Sequence, residues 1–253
     1  MIAIPMVFVV AFFVYFYIMG NPQNFQGGNP ANHPLPGNYL GIVYKGGIIV
    51  PVLMGLLLMV LTFVVERFII ITKAKGKGRV ADFIVDVHKF LSKNEIQKAK
   101  DSCDVQKGSV ANVVKAGLIK YEEMAGKQDM NKDQKMVAIK QEFEEATSLE
   151  LPMLEKNLVI LATNASIATL IGLLGTVLGM IKAFAALATA GAPDAIALAN
   201  GISEALINTA LGIATSAIAI ITYNYFTTQI DKLTYSIDEA GVAIVQNFAA
   251  MHK

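Results

Sequence analysis

Two apolar stretches carry polar residues at regular intervals: residues 166–182 read SIATLIGLLGTVLGMIK, and residues 201–216 read GISEALINTALGIATS. Each lies in a segment long enough to cross a bilayer as a helix, which takes about 20 residues. Polar groups inside a membrane helix are costly, so those present need a reason. The two stretches therefore decide both the fold and the search for a site.

The polar residues of these stretches cluster on a few helix faces. At about 100° per residue, one face of the first helix collects Ser166, Thr169 and Thr176. The second helix carries one stripe and an adjacent pair: Glu204, Asn208, Thr215 and Thr222, then Thr209 and Ser216. Such side chains either bond their own or a neighbouring helix, or line a hydrated path for protons. A single hydroxyl favours the first interpretation, whereas two stripes at overlapping depth favour the second.

Glu204 is a carboxyl inside a span, so it must be protonated, paired or turned towards water. Lys182 lies at similar depth on the antiparallel helix. Either the two form an ion pair at the mouth of a cavity, or Lys182 extends to the lipid headgroups. Gly172, Gly175 and Gly179 have the spacing of closely packed helices. We expect Gly201 and Gly212 of the next helix to pack against them.

Composition also indicates a membrane protein. The chain is 54% hydrophobic and 16% charged, with a mean hydropathy of +0.51, whereas soluble domains carry about a quarter charged residues. A net charge of +1 gives no field for nucleic acid. One cysteine excludes an internal disulfide. Scattered histidines and the absence of nucleophile or phosphate-loop motifs predict no metal, no cofactor and no enzymatic activity.

Four apolar segments, at 2–19, 47–65, 157–190 and about 195–226, predict four spans. The first is either a retained span or a secretory signal, although a signal's basic region and small-residue cleavage site are missing. Four basic residues within 73–79 place the inner end of the second span in the cytoplasm. Four spans would leave both termini cytoplasmic.

Short helices are predicted between the second and third spans. One begins at Val80, one runs from an Asn94 cap towards Cys103, and one covers 109–124. Asn131 and Gln134 resemble a capping box that opens a long helix. That helix, bent at Pro152, is predicted to continue to Thr189. The fourth span is likewise predicted to continue inward as an amphipathic helix. Its apolar positions are Ile230, Leu233, Ile237, Val242 and Val245.

The motif Gly172-Leu-Leu-Gly-Thr176-Val-Leu-Gly-Met-Ile, followed by Gly201-Ile-Ser-Glu204-Ala-Leu-Ile-Asn-Thr209-Ala-Leu-Gly212, resembles the MotA/TolQ/ExbB proton-channel family, and most of all its ExbB branch. The resemblance is dense over 151–229 and looser over 91–118, and Glu66-Arg67 also fits. It implies an all-α membrane protein whose long transmembrane helices extend into a cytoplasmic helical domain. The assembly would be a pentameric bundle around a central pore.

The resemblance also implies partners and site residues. The pore of the homopentamer would hold an ExbD-like dimer whose aspartate carries the proton, and a TonB-like protein would energise outer-membrane transport. Thr176 and Thr209 match the hydroxyls that line the path, Glu204 matches the family's intramembrane glutamate, and Thr169 and Asn208 complete the predicted proton path. The location would be the lipid bilayer of the bacterial inner membrane.

The predicted divisions follow from these expectations. They are an N-terminal apolar span (1–20), a periplasmic loop (21–45), a transmembrane helix (46–72), a cytoplasmic helical domain (73–156), a pore-lining helix (157–190), a periplasmic turn (191–198), a second pore-lining helix (199–227) and a cytoplasmic helical tail (228–253).

Several alternatives stay open. An apolar segment at 2–19 adds a span that the three-span ExbB pattern lacks. The resulting count of four spans and the sequence Gly179-Met-Ile-Lys182 are both similar to MotA. Glu204 favours ExbB, then TolQ, then MotA. Protons are preferred over sodium because the spans offer hydroxyls without further carboxylates. A non-conducting scaffold remains an alternative. A solute carrier is weaker because no inverted repeat is present.

Overall fold

The computed structural model describes residues 3–188 and 194–251, and most of these are helical. The longer helices are α1 (Ala3–Phe13), α2 (Tyr39–Tyr44), α3 (Ile49–Lys75), α4 (Val80–Ser92), α5 (Ile96–Gln106), α6 (Gly108–Gly126), α7 (Lys132–Glu155), α8 (Leu158–Leu187) and α9 (Ala195–Met251). A π-helical turn, Val14–Met19, extends α1, and two 3-10 turns, Pro22–Asn24 and Gln26–Gly28, follow it. The all-α prediction is confirmed for the described residues.

Three helical stretches of the described chain are long and apolar enough to cross a membrane: Ile49–Ser92, Lys132–Leu187 and Ala195–Met251. Among the described residues, the first apolar segment forms a shorter apolar helix, Ile4–Met19, so the fourth span stays a prediction. At about 1.5 Å per residue, that helix is shorter than a bilayer core of about 30 Å.

The chain forms two compact units. One consists of Met1–Val65 and Val159–Tyr223, and the other of Glu66–Leu158 and Asn224–Lys253. The first contains most of the apolar helical residues and is called the membrane unit below. The second contains α4 to α7 and the end of α9, and is called the helical unit.

The helical unit follows the predicted amphipathic pattern. Phe83, Ile84, Val87 and Leu91 are buried on one face of α4, as their spacing predicts. The prediction for 109–124 is confirmed by α6. The capping box is also confirmed, since the Asn131 side chain accepts from the Gln134 amide at 2.9 Å and the Gln134 side chain accepts from the Asn131 amide at 3.1 Å.

The continuation of the last helix beyond residue 226 is confirmed, because α9 runs for 57 residues without a break. Ile230, Leu233 and Ile237 are buried as predicted. Val242 is exposed instead, and Ile244 and Phe248 occupy the buried positions. The start of α9 is fixed by Asp194, whose Oδ1 accepts from the amides of Ile196 and Ala197 at 3.0 Å. Of the predicted turn at 191–198, residues 191–193 lie outside the described residues and 195–198 belong to α9.

The prediction that Asn94 caps α5 is wrong. Asn94 has a φ of +58°, and its amide donates to the Leu91 carbonyl at 2.9 Å. It therefore closes α4 in the left-handed conformation that asparagine tolerates at helix C-termini. Glu95 precedes α5 and makes no side-chain capping bond.

The prediction of one bent helix from Asn131 to Thr189 is also wrong. Pro152 lies inside α7, and the break comes later, at Asn157 with a φ of +66°. Arg67, which is fully buried, holds this break. Its Nη1 donates to the Leu154 carbonyl at 3.1 Å and the Met153 carbonyl at 3.3 Å. These carbonyls belong to the last turn of α7, where helical partners run out.

Glu66 completes the contacts around this break. Its carboxylate accepts from Arg67 Nη2 at 2.8 Å and Nε at 3.1 Å, a two-pronged ion pair. It also accepts from Asn157 Nδ2 at 3.0 and 3.1 Å. One guanidinium and one carboxylate thus fix both sides of the break between α7 and α8.

Candidate functional site

The glycines of α8 bring its backbone against that of α9. A Cβ atom at Gly172 would lie 3.0 Å from the carbonyl oxygen of Asn208 and from Gly212 Cα. One at Gly179 would lie 2.8 Å from the Gly201 carbonyl oxygen. The predicted glycine packing within the chain is therefore confirmed. Because the backbones are so close, short polar side chains can reach across the seam.

Thr176 of α8 and Thr209 of α9 meet across this seam through their hydroxyl oxygens. Each hydroxyl also lies near a carbonyl of its own helix, Thr176 at 3.3 Å from Gly172 O and Thr209 at 3.2 Å from Ala205 O. Both side chains are half-buried. The pair therefore keeps access to the surroundings while each hydroxyl has more than one hydrogen-bond partner.

An apolar rim surrounds the threonine pair. Leu173 is one turn before Thr176, and Leu206 and Ile213 flank Thr209 on α9; all three are exposed. We call these three side chains and the two threonines the open edge of the seam. An apolar surface carrying two hydroxyls fits either lipid or a partner helix with one polar group.

Glu204 lies on a different side of α9, against the Gly46-Gly47 turn that precedes α3. Its carboxylate accepts from Lys182 Nζ at 2.6 Å. Glu204 is 8% exposed, whereas the Lys182 side chain is 57% exposed. The pair thus joins a buried carboxylate to an ammonium that remains accessible. Gly47 has a φ of +76°, and any Cβ there would collide with the Glu204 carboxylate.

Asn208 follows Glu204 by one helical turn and faces the same turn of chain. Its side chain is fully buried, and its Nδ2 donates to the Gly46 carbonyl at 2.9 Å. The predicted site residues therefore separate into two groups. Glu204 and Asn208 are buried against Gly46-Gly47, while Thr176 and Thr209 form the open edge.

Three further hydroxyls of the polar stripes contact carbonyl oxygens of their own or the neighbouring helix. Thr169 Oγ1 lies 3.4 Å from Ala165 O of its own helix, so the structure does not join it to Thr209. Ser216 donates across the seam to the same carbonyl at 2.6 Å. Thr222 donates to Ile218 O of α9 at 2.7 Å.

Sequence reasoning missed the part that Gly46 and Gly47 play in holding Asn208 and Glu204. A glycine pair directly before an apolar span is typical of a tight turn, and this pattern could have identified them. Within residues 3–188 and 194–251, no cluster of three or more His, Cys, Asp or Glu side chains could hold a metal ion.

Comparison with known proteins agrees with the geometry. A sequence profile described as the MotA/TolQ/ExbB proton channel family matches residues 106–239, which is more than half of the chain. The Tol-Pal system protein TolQ of Haemophilus influenzae is 26% identical over 203 residues, 78% of this chain and 87% of that protein. TolQ of Pseudomonas aeruginosa is 33% identical over 124 residues, 49% of this chain and 54% of that protein.

Another relative is named ExbB rather than TolQ. The biopolymer transport protein ExbB of Helicobacter pylori is 42% identical over 81 residues, 32% of this chain and 56% of that protein. The match to the family profile confirms the resemblance drawn from the two glycine-rich motifs. This chain belongs to the MotA/TolQ/ExbB proton channel family.

Proposed function

We propose that this chain is an ExbB-like subunit of a proton-driven motor in the bacterial inner membrane. The observation that carries the proposal is the contact between the Thr176 and Thr209 hydroxyls at an accessible edge of two apolar helices. Membership of a proton channel family supports it. The subunit would use the proton-motive force to energise TonB-dependent transport across the outer membrane.

The proton acceptor would come from a partner. Residues 49–65, 158–187 and 195–226 contain no aspartate, so α3, α8 and α9 supply no such group to the open edge. A partner helix that covers Leu173, Leu206 and Ile213 would bring its own carboxyl onto the two threonines. Hydroxyls both donate and accept, so they can stabilise that carboxyl in either protonation state.

The proposed assembly is a homopentamer whose pore holds a dimer of an ExbD-like protein. A TonB-like protein would transmit the mechanical energy to outer-membrane transporters. The exposed apolar rows of α8 and α9 support burial against other chains or lipid. Both termini would lie in the cytoplasm if residues 2–19 form a further span. The roles of Thr169 and Asn208 in the proton path, and of the Lys182–Glu204 pair at its entrance, belong to this proposal.

Replacing both Thr176 and Thr209 with valine should remove proton-driven activity while leaving the fold intact. Valine has nearly the shape of threonine but no hydroxyl. A hydrogen bond to a charged group contributes about 1.5 to 3 kcal/mol, so we expect proton flux to fall about 10- to 100-fold. The measurement is pH-gradient-driven flux into vesicles that contain the chain and its co-expressed partner.

Thr222→Val is the matched control, because the Thr222 hydroxyl bonds to Ile218 O of its own helix. Its flux should stay within about twofold of the unmodified protein, because the substitution removes only a hydrogen bond within one helix. Undiminished flux in the double variant, with normal assembly, would exclude a role for the hydroxyl pair.

A TolQ-like role is the second candidate, and the 203-residue match to a TolQ protein favours it. Expression in strains that lack either ExbB or TolQ separates the two roles by which strain regains function. A MotA-like stator would rescue neither strain and would require a flagellar readout. A non-conducting scaffold would assemble with its partner yet show the same flux with and without the two threonines.

A further inference from the structure

Asn208 carries the least satisfied polar atom of the membrane unit. Among the residues that the structure describes, its Oδ1 is the buried side-chain oxygen or nitrogen without a hydrogen-bond partner. The Nδ2 of the same amide donates to Gly46 O, which fixes the orientation, since a flipped amide would set two oxygens against each other. An unpaired buried acceptor costs about 1 to 3 kcal/mol, so a donor is required.

Two groups near the Asn208 amide are acceptors. Gly46 contributes a carbonyl, and Glu204 one turn earlier contributes a carboxylate that already accepts from Lys182. Gly175 of α8 lies against the amide, where a Cβ would approach Asn208 Cγ to 2.7 Å. A small ligand with hydrogen-bond donors fits this chemistry. Because Lys182 already balances the Glu204 charge, a neutral ligand is favoured over a metal cation.

We propose that Asn208 Oδ1 binds a water molecule inside the α8–α9 seam, and that this water is a station for protons between Glu204 and the Thr176–Thr209 pair. The second half of this statement rests on the function proposed above. Buried waters usually make about three hydrogen bonds to groups that lack other partners. Donation to Oδ1 would satisfy the amide, leaving one hydrogen and the lone pairs for neighbouring groups.

The position of Asn208 makes a proton station useful there. Asn208 directly precedes Thr209 in α9, lies one turn after Glu204, and faces Gly175 of α8, the residue before Thr176. An amide does not titrate and cannot pass a proton. Water can accept a proton on one side while it releases another on the opposite side. A leucine at this position would leave the seam apolar.

Two variants test the proposal by proton flux in the assembled complex. Asn208→Leu, similar in shape but without polar atoms, should lower flux at least about tenfold, the loss expected for one hydrogen bond. Asn208→Ser keeps a hydroxyl and leaves room for water, so its flux should stay within about threefold of the unmodified protein. Ser216→Ala is the control for a lost polar contact across the same seam, and its flux should not change.

Electron cryo-microscopy of the unmodified complex provides a test that does not depend on variant folding. A water peak is expected about 2.6 to 3.2 Å from Asn208 Oδ1. A map that shows other buried waters but none here overturns the proposal, as does a protein donor on this oxygen. Normal flux in assembled Asn208→Leu overturns it too. If Thr176 and Thr209 variants then still lose flux, the proposed function stands and only this inference fails.

Discussion

Gly179→Val is expected to prevent stable packing of α8 against α9. A Cβ at this position would lie 2.6 Å from the backbone nitrogen of Ala205 and 2.8 Å from the carbonyl oxygen of Gly201. Both are backbone atoms, so no side-chain rotation can relieve the collision. Overpacking typically costs 1 to 3 kcal/mol and occasionally more. We expect about 3 kcal/mol or more here, because the two helices must separate along the whole seam.

The amount of folded chain extracted in mild detergent, together with its thermal unfolding temperature, measures this loss. Gly126→Val is the control, since a Cβ at Gly126 would meet nothing within 4 Å. Gly175→Ala should weaken the same packing, because a Cβ there would lie 2.4 Å from Asn208 Cβ, an atom that side-chain rotation cannot move. Equal extraction and unfolding temperature for Gly179→Val and Gly126→Val would show that the seam tolerates separation.

The close contact of α8 and α9 was predictable because glycine spacing is a local property of the sequence. Gly172 and Gly179 are two helical turns apart, so both lie on one face of α8, and a row of small residues on one face lets a partner helix approach closely. The division of the polar residues between two sides was not predictable. A helical wheel orders Asn208 and Thr209 around one axis, but it does not show that the Gly46-Gly47 turn covers Asn208 and leaves Thr209 open.

The helix boundaries show the same limit. Proline is a local signal, and it drew attention to Pro152 as the bend. The actual break at Asn157 depends on Arg67, which is 86 residues away from Met153 in sequence. Asparagine is favoured as the N-cap residue of a helix, which is why Asn94 was predicted to begin α5. Asparagine also tolerates the left-handed conformation that ends a helix. Local propensity fits both interpretations, and only the packing of α4 and α5 decides between them.

Arg67→Met is expected to destabilise the helical unit by about 3 kcal/mol, because removing the guanidinium leaves two carbonyl groups and one carboxylate without their donor. The side chain is fully buried, and its loss would leave the Met153 and Leu154 carbonyls without their donor. The positive charge also lies at the C-terminus of α7, where a helix dipole favours it. Arg67→Lys should recover part of the loss, because it keeps the charge without the planar fork.

Labelling of Cys103, the one cysteine of the chain, measures the effect. This thiol is buried in the helical unit, and burial raises its pKa to about 12, so labelling near neutral pH requires local opening. A loss of about 3 kcal/mol should accelerate labelling about 100-fold. Arg79→Met should leave the rate nearly unchanged, since the Arg79 side chain is 81% exposed and its 3.7 Å pair with Asp82 is a surface contact. If Arg67→Met labels as slowly as Arg79→Met, the guanidinium does not hold the end of α7. The break at Asn157 would then depend on the chain's own conformation.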